Sequence, residues 1–170
     1  MARWAADAEF CRAAGWTADL PLGEYRRFHR RLIQSPPADL IRLGAVHNGV
    51  LVGYVDLHGS EPHRRELGFV IGDRSRWNQG LGQLAAAAGL DYGFDHLGLQ
   101  EIWAEAFNAN QSSVRILQRL GLRETGRGDE GTFLEKPTYY RQFAITATDW
   151  STRDNELIRR FPKPSTPGQA

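Results

Sequence analysis

With 170 residues, 41% of them hydrophobic and 24% charged, the chain fits one soluble globular domain with a full core. A formal net charge of +1 gives no bulk argument for a nucleic-acid partner, and a single cysteine, Cys11, excludes an internal disulfide framework and a multi-cysteine zinc site. The opening MARWAADAEF shows no signal peptide and no apolar run reaches the length of a membrane span, so a cytoplasmic protein without a membrane partner is the default expectation.

Ala5 to Ala14 reads as a helix stopped by Gly15, with Trp4 and Trp16 as flanking packing residues and Cys11 as a packed rather than reactive thiol. Gly23 to Ile33 is an amphipathic helix with Tyr25, Phe28 and Leu32 on one face; Arg26, Arg27, Arg30 and Arg31 lie off it as a solvated face. Ser35-Pro36-Pro37 ends it. Leu40–Val46 and Val50–Leu57 read as strands joined through Asn48-Gly49, a strong short hairpin signal. A third strand runs from Glu66 to Gly72, completing an antiparallel meander.

The stretch that follows organises the chain. Asp73 to Asn78 cannot extend the strand, and from Gly80 onward Leu81, Ala85, Ala88 and Tyr92 recur at helical spacing. Gly80 and Gly82 stand where that helix begins, next to unpaired N–H groups and a positive dipole end, a ready cradle for phosphate oxygens. The bland alternative is that the glycines only shape a tight turn. GLGQLA lacks the Lys-Ser/Thr pair of a P-loop, and the preceding strand comes in mid-chain, unlike that of a dinucleotide fingerprint.

Beyond the central helix, Glu101 to Phe107 alternates strictly, with Ile102, Ala104 and Ala106 on one side and Trp103, Glu105 and Phe107 on the other. Strand–helix–strand order there predicts a parallel pair inside an otherwise antiparallel sheet. Asn108 to Ser113 is a polar, helix-capping turn. Val114, Leu117 and Leu120 face the core from the next helix, and Gly121 stops it. Leu122–Gly126 and a segment from Thr132 read as strands, and Tyr139 to Ala147 alternates over a longer span. Asp149 to Arg160 reads as a last short helix, so the domain is placed at 1–160, with 161–170 as a disordered tail.

From Glu66 to Gly121 these residues resemble the GNAT superfamily of acetyl-CoA-dependent N-acetyltransferases, and within it the RimJ/RimL branch. The superfamily pattern Arg/Gln-x-x-Gly-x-Gly/Ala is met by Trp77-Asn78-Gln79-Gly80-Leu81-Gly82, close to the branch's Trp-Gly-Gln-Gly form. Asn78 replaces a glycine there, and asparagine best tolerates the left-handed conformation after glycine. Asp91-Tyr-Gly-Phe…Leu97-Gly-Leu and Asn110-Gln-Ser-Ser113…Leu120-Gly-Leu match two further branch elements, and Arg3-Trp4…Gly15-Trp16 its first helix. The resemblance implies a mixed α+β fold: a mostly antiparallel twisted sheet whose central parallel pair splays to hold acetyl-CoA, with helices on both faces. Family members carry a strand before the first helix, and little chain precedes Trp4. Either that strand is absent or another segment supplies the edge, which allows a homodimer.

The implied chemistry is acetyl transfer to a primary amine by direct attack. Asn78, Gln79, Gly80, Leu81, Gly82 and Gln83 would hold the pyrophosphate, and the edge of Phe69, Val70 and Ile71 would pair with the pantetheine arm. A backbone N–H near Val70 or Ile71 would stabilise the developing oxyanion. Glu66 is the candidate base, against an ordinary strand carboxylate paired with Arg64 or Arg65. Many members protonate the thiolate with a tyrosine at the position of Leu117; the branch implies Ser113 instead, against a serine that only caps its helix. Asn110 would bind the arm or cap, and Arg119 would face phosphates. His58 and His63 fit no zinc signature, and a histidine as the base in place of Glu66 is the lesser alternative. A non-catalytic acyl-CoA-binding module on the same fold is the alternative, and an empty structural protein a third class.

Overall fold

The computed structural model describes residues 1–152; the end of the expected last helix and the expected tail lie outside them. A short 3-10 helix, Ala2–Ala6, leads into α1 (Ala8–Ala14). The Asp7 carboxylate accepts from the N–H groups of Glu9 and Phe10 to start α1, and Gly15 stops it in the left-handed region at φ 67°. Then come α2 (Leu22–Gln34), β1 (Leu40–His47), β2 (Val50–His58) and β3 (Arg64–Ile71). After a 3-10 turn, Arg74–Arg76, the chain forms α3 (Leu81–Asp91), a single π turn (Tyr92–His96), β4 (Glu101–Phe107) and α4 (Gln111–Arg119). It continues through β5 (Arg123–Phe133) and β6 (Lys136–Thr146) to α5 (Ala147–Thr152).

The six strands form one sheet in the order β1-β2-β3-β4-β6-β5, in which only β3 and β4 run parallel. Alternation along β4 sends Ile102, Ala104 and Ala106 into the larger core, with Leu57, Leu67, Leu90, Leu117 and Phe143, beneath α3 and α4. α5 closes that side: the Trp150 indole donates to the Asp91 carboxylate at 2.9 Å. The opposite face is covered from the N-terminal segment, where Trp4, Phe10 and Cys11 pack on Tyr54. Cys11 is buried there, as a packed thiol should be.

Four expectations need correction. In α2 the buried face is Tyr25 and His29, with the His29 ring packed at a tilt against Trp16, centroids 4.9 Å apart, and Phe28 is 60% exposed. In α3 the inward residues are Leu81, Ala85, Ala86, Gly89 and Leu90, and Ala88 faces outward; Gly89 lets the helix approach so closely that a Cβ there would meet Val55 at 2.5 Å. Leu122–Gly126 and Thr132 onward are not two strands. β5 runs through, with bulges between Glu124 and Gly126 and between Arg127 and Glu130. Ala147 opens α5 and does not end the preceding strand. Among the described residues no strand precedes α1, and β1 is an edge of the sheet.

Candidate active site

β3 and β4 stay hydrogen-bonded only over Arg64–Glu66 against Glu101–Trp103. Past that point they part, and the β4-facing edge of β3 from Leu67 to Ile71 has no strand partner while its other edge remains paired to β2. Such an edge offers N–H and C=O groups to an extended, amide-bearing ligand. A cleft of about 610 Å³ opens in the gap. Phe69, Val70 and Ile71 line it from β3, Asn78, Gly80, Gly82 and Gln83 from the start of α3, and Asn110, Ser113 and Arg119 from α4.

The turn between β3 and α3 is fixed from three directions. The Trp77 indole donates to the Ile71 carbonyl at 2.9 Å, the Gln79 amide donates to the Ser75 carbonyl at 2.8 Å, and Arg74 pairs with Asp7 and Glu9 at the start of α1. Asn78 takes φ 60° and Gly80 φ 79°, and a Cβ at Gly80 would meet nothing within 4 Å. No side chain caps the start of α3, which borders the cleft together with Arg76, Arg115 and Arg119. That donor set suits a pyrophosphate. Gly82 acts through packing: a Cβ there would meet Ile116 at 3.1 Å, so its bareness lets α3 sit close to α4.

Asn110 caps α4, its side-chain oxygen accepting from the Ser113 N–H at 3.2 Å. The Ser113 hydroxyl is therefore not the cap, and Ser113 lines the cleft. Leu117 is 1% exposed in the core and offers no proton. Gln79 and Leu81 do not line the cleft: the Gln79 side chain is held by Ser75, and Leu81 is buried, so each would serve through backbone alone.

Glu66 also stands outside the cleft lining, at the last position of β3 paired to β4, opposite Trp103, and opposite His58 on β2. It is not paired with its neighbours. Arg64 binds Glu101 at 2.6 Å, and Arg65 donates to the Asp39 carbonyl at 3.2 Å. Among the described residues no hydrogen bond or ion pair engages the Glu66 carboxylate. Burial first, and then the Glu105 carboxylate, push its pKa above the ordinary value, with His58 opposing.

A family model described as an acetyltransferase (GNAT) domain matches residues 1–123. The chain belongs to the GNAT acetyltransferase family. It is similar to the uncharacterized N-acetyltransferase YoaA of Bacillus subtilis (strain 168), 33% identical over 78 residues. That match spans 45% of this chain and 44% of the relative's length. Spermidine N-acetyltransferase from Vibrio cholerae, solved with CoA and spermine, shares the fold with a TM-score of 0.74 at 15% identity, over 89% of this chain and 90% of that one. A GNAT-family acetyltransferase from Bacillus anthracis gives 0.70 at 21% identity, over 87% of each chain.

Several lining groups of this GNAT cleft carry no signal in the sequence. Glu9 and Phe10 reach it from α1, and Phe133 and Leu134 from the tip of the β5–β6 hairpin. The Phe107 ring of β4 reaches across β6 to β5, where a Cβ at Gly131 would meet it at 2.7 Å. Glu105, Tyr140 and Gln142 lie on the Glu66 side of the sheet, and only the strict alternation of β4 hints at one of them. Groups of three or more metal-ligating side chains are absent among the described residues.

Proposed function

We propose that this GNAT protein transfers the acetyl group of acetyl-CoA to a primary amine, a protein N-terminus or a small amine, in the manner of the RimJ/RimL branch. The observation that carries it is the parallel pair that stops after three residues over a cleft at the start of α3. Acetyl-CoA supplies an activated acyl group when bound. The N–H groups from Gln79 to Gln83 and the Arg119 guanidinium would hold its phosphates, and Asn78 would shape the turn. Phe69, Val70 and Ile71 would pair with the pantetheine arm beside Asn110, and an N–H of Val70 or Ile71 would stabilise the oxyanion.

Glu66 would take the proton of the substrate ammonium, directly or through a water, leaving a neutral amine to attack the thioester carbonyl. As the C–N bond forms and the C–S bond breaks, the Ser113 hydroxyl would give its proton to the departing thiolate and take back, directly or through a water, the proton shed by the new amide nitrogen. A cytoplasmic place and a homodimer are compatible with this reading; no helix among the described residues is long and apolar enough to cross a membrane.

The test is thiol release from acetyl-CoA over a panel of peptides with free N-termini, polyamines and simple primary amines. Turnover on any of them supports the enzyme. Tight acetyl-CoA binding with no turnover across the panel favours the non-catalytic acyl-CoA module, which the buried Leu117 at the usual tyrosine position also favours.

A further inference from the structure

Glu66 and Glu105 present two carboxylates to the same face of the sheet. Glu66 is the register partner of Trp103, and Glu105 follows Trp103 by two residues, where β3 and β4 begin to part. Glu105 is held from two sides. Its register partner on β6, Gln142, donates an amide N–H to it at 2.7 Å. The second bulge of β5 lays Gly128 over that pair: a Cβ there would meet Gln142 Nε2 and Glu105 Oε1 at 3.1 Å and Tyr140 Cβ at 3.2 Å.

No ion pair engages either carboxylate among the described residues; His58, whose Nε2 lies 3.2 Å from the Asp39 carboxylate, opposes the Glu66 shift. The groups around Glu66 are His58 and Asp56 on β2, Arg64 on its own strand, Glu105 on β4 and Tyr140 on β6. Asp56 is tied to Arg42 at 2.5 Å, and Arg64 to Glu101 and Glu61. A neutral glutamine at 105 would hold the strands through the same hydrogen bond to Gln142, without the cost of a second partly desolvated charge. The charge itself therefore calls for a purpose.

We propose that Glu105 is a positioning residue for deprotonation of the amine: clamped by Gln142 and Gly128, it fixes a negative charge on the face of Glu66 and makes Glu66 a stronger proton acceptor. This rests on Glu66 as the base of the proposed acetyl transfer. The direction of the Glu66 shift agrees, with Glu105 second to burial among its causes. Tyr140 is also held up, by burial first and then by Glu105 and Glu66, so its hydroxyl keeps its proton beside the pair.

The direct test follows the glutamate side-chain carboxyl carbons of the full chain by NMR across pH, with Glu66→Gln to assign the Glu66 signal. In the parent, Glu66 should titrate above ordinary glutamates, and in Glu105→Gln its midpoint should move to lower pH. Gln142→Leu, which frees the Glu105 carboxylate but keeps its charge, should move it the same way by less. An unchanged Glu66 midpoint in Glu105→Gln overturns the proposal. In thiol release with an amine that turns over, the acid limb of kcat/KM should move with that midpoint while KM for acetyl-CoA stays put. Should Glu66→Gln keep full turnover, it is the assignment of the base that fails. Should Glu66→Gln be dead and the Glu105→Gln profile overlay the parent, only the role of Glu105 is lost.

Discussion

His29 is 6% exposed, and neither of its ring nitrogens finds a partner. Burial, with Arg42 and the N-terminal amine nearby, pushes its pKa from 6.5 to about 4. The folded state therefore refuses a proton that the unfolded chain accepts. Above the unfolded value nothing is lost; as pH falls towards 4 the unfolded state gains the proton and stability declines, and below 4 this contribution is flat. Asp7, Asp73 and Glu124 are held below the ordinary range by Arg74, Ser75 and Arg141 respectively, and add a loss at lower pH. The expected outcome for His29→Phe is a smaller drop in urea midpoint between pH 7 and pH 4.5 than in the parent; equal drops would contradict the assignment. Ser113 makes a second case at this scale. Its N–H serves the cap and its side chain is free to serve the cleft it lines. Ser113→Ala should lower kcat by roughly a hundredfold, a typical general-acid contribution, with KM for acetyl-CoA and Tm unchanged. Unchanged kcat would make Ser113 a spectator.

At the scale of elements, two hairpins show why one turn is legible and the other is not. Asn48-Gly49 and Leu134-Glu135 are both two-residue loops with positive φ at each central position, 51° and 73° in the first, 48° and 66° in the second. Asn-Gly announces that geometry in the sequence, whereas Leu-Glu opposes it and gives no turn signal. Leu134 lines the cleft, so the strained turn sits at the candidate site, where local preference is most often overridden. Replacing Leu134-Glu135 by Asn-Gly should stabilise the fold by about 1 kcal/mol, read as a higher urea midpoint at constant slope. A loss of stability would mean that Leu134 packing outweighs the strain. The same contrast holds for helices. α4 is legible because a cap, an apolar stripe and a stop glycine agree; the inward face of α2 is not, because a histidine occupies it and a phenylalanine does not.

Across the whole molecule, the β1–β3 meander and the parallel pair are readable from alternation, turn signals and strand–helix–strand order, whereas the placing of β6 between β4 and β5 is not. Most of the expected site residues that line the cleft come from two contiguous motifs, Asn78, Gly80, Gly82 and Gln83 in one and Asn110 and Ser113 in the other. No local pattern marks where β6 sets Gln142 beside Glu105 and the β5 bulge lays Gly128 over both, because long-range register leaves no local trace. What unites these parts is the cleft in which we propose that acetyl-CoA binds. The most direct measurement is Tm with and without acetyl-CoA, on the parent and on Gly82→Glu. At about 100 times Kd the ligand should add roughly 2.7 kcal/mol to the parent, a clear upward shift in Tm. Gly82→Glu puts a carboxylate between α3 and α4 at the cradle and should show no shift. No shift in a folded parent, or an equal shift in both proteins, would contradict the placement of acetyl-CoA in this cleft.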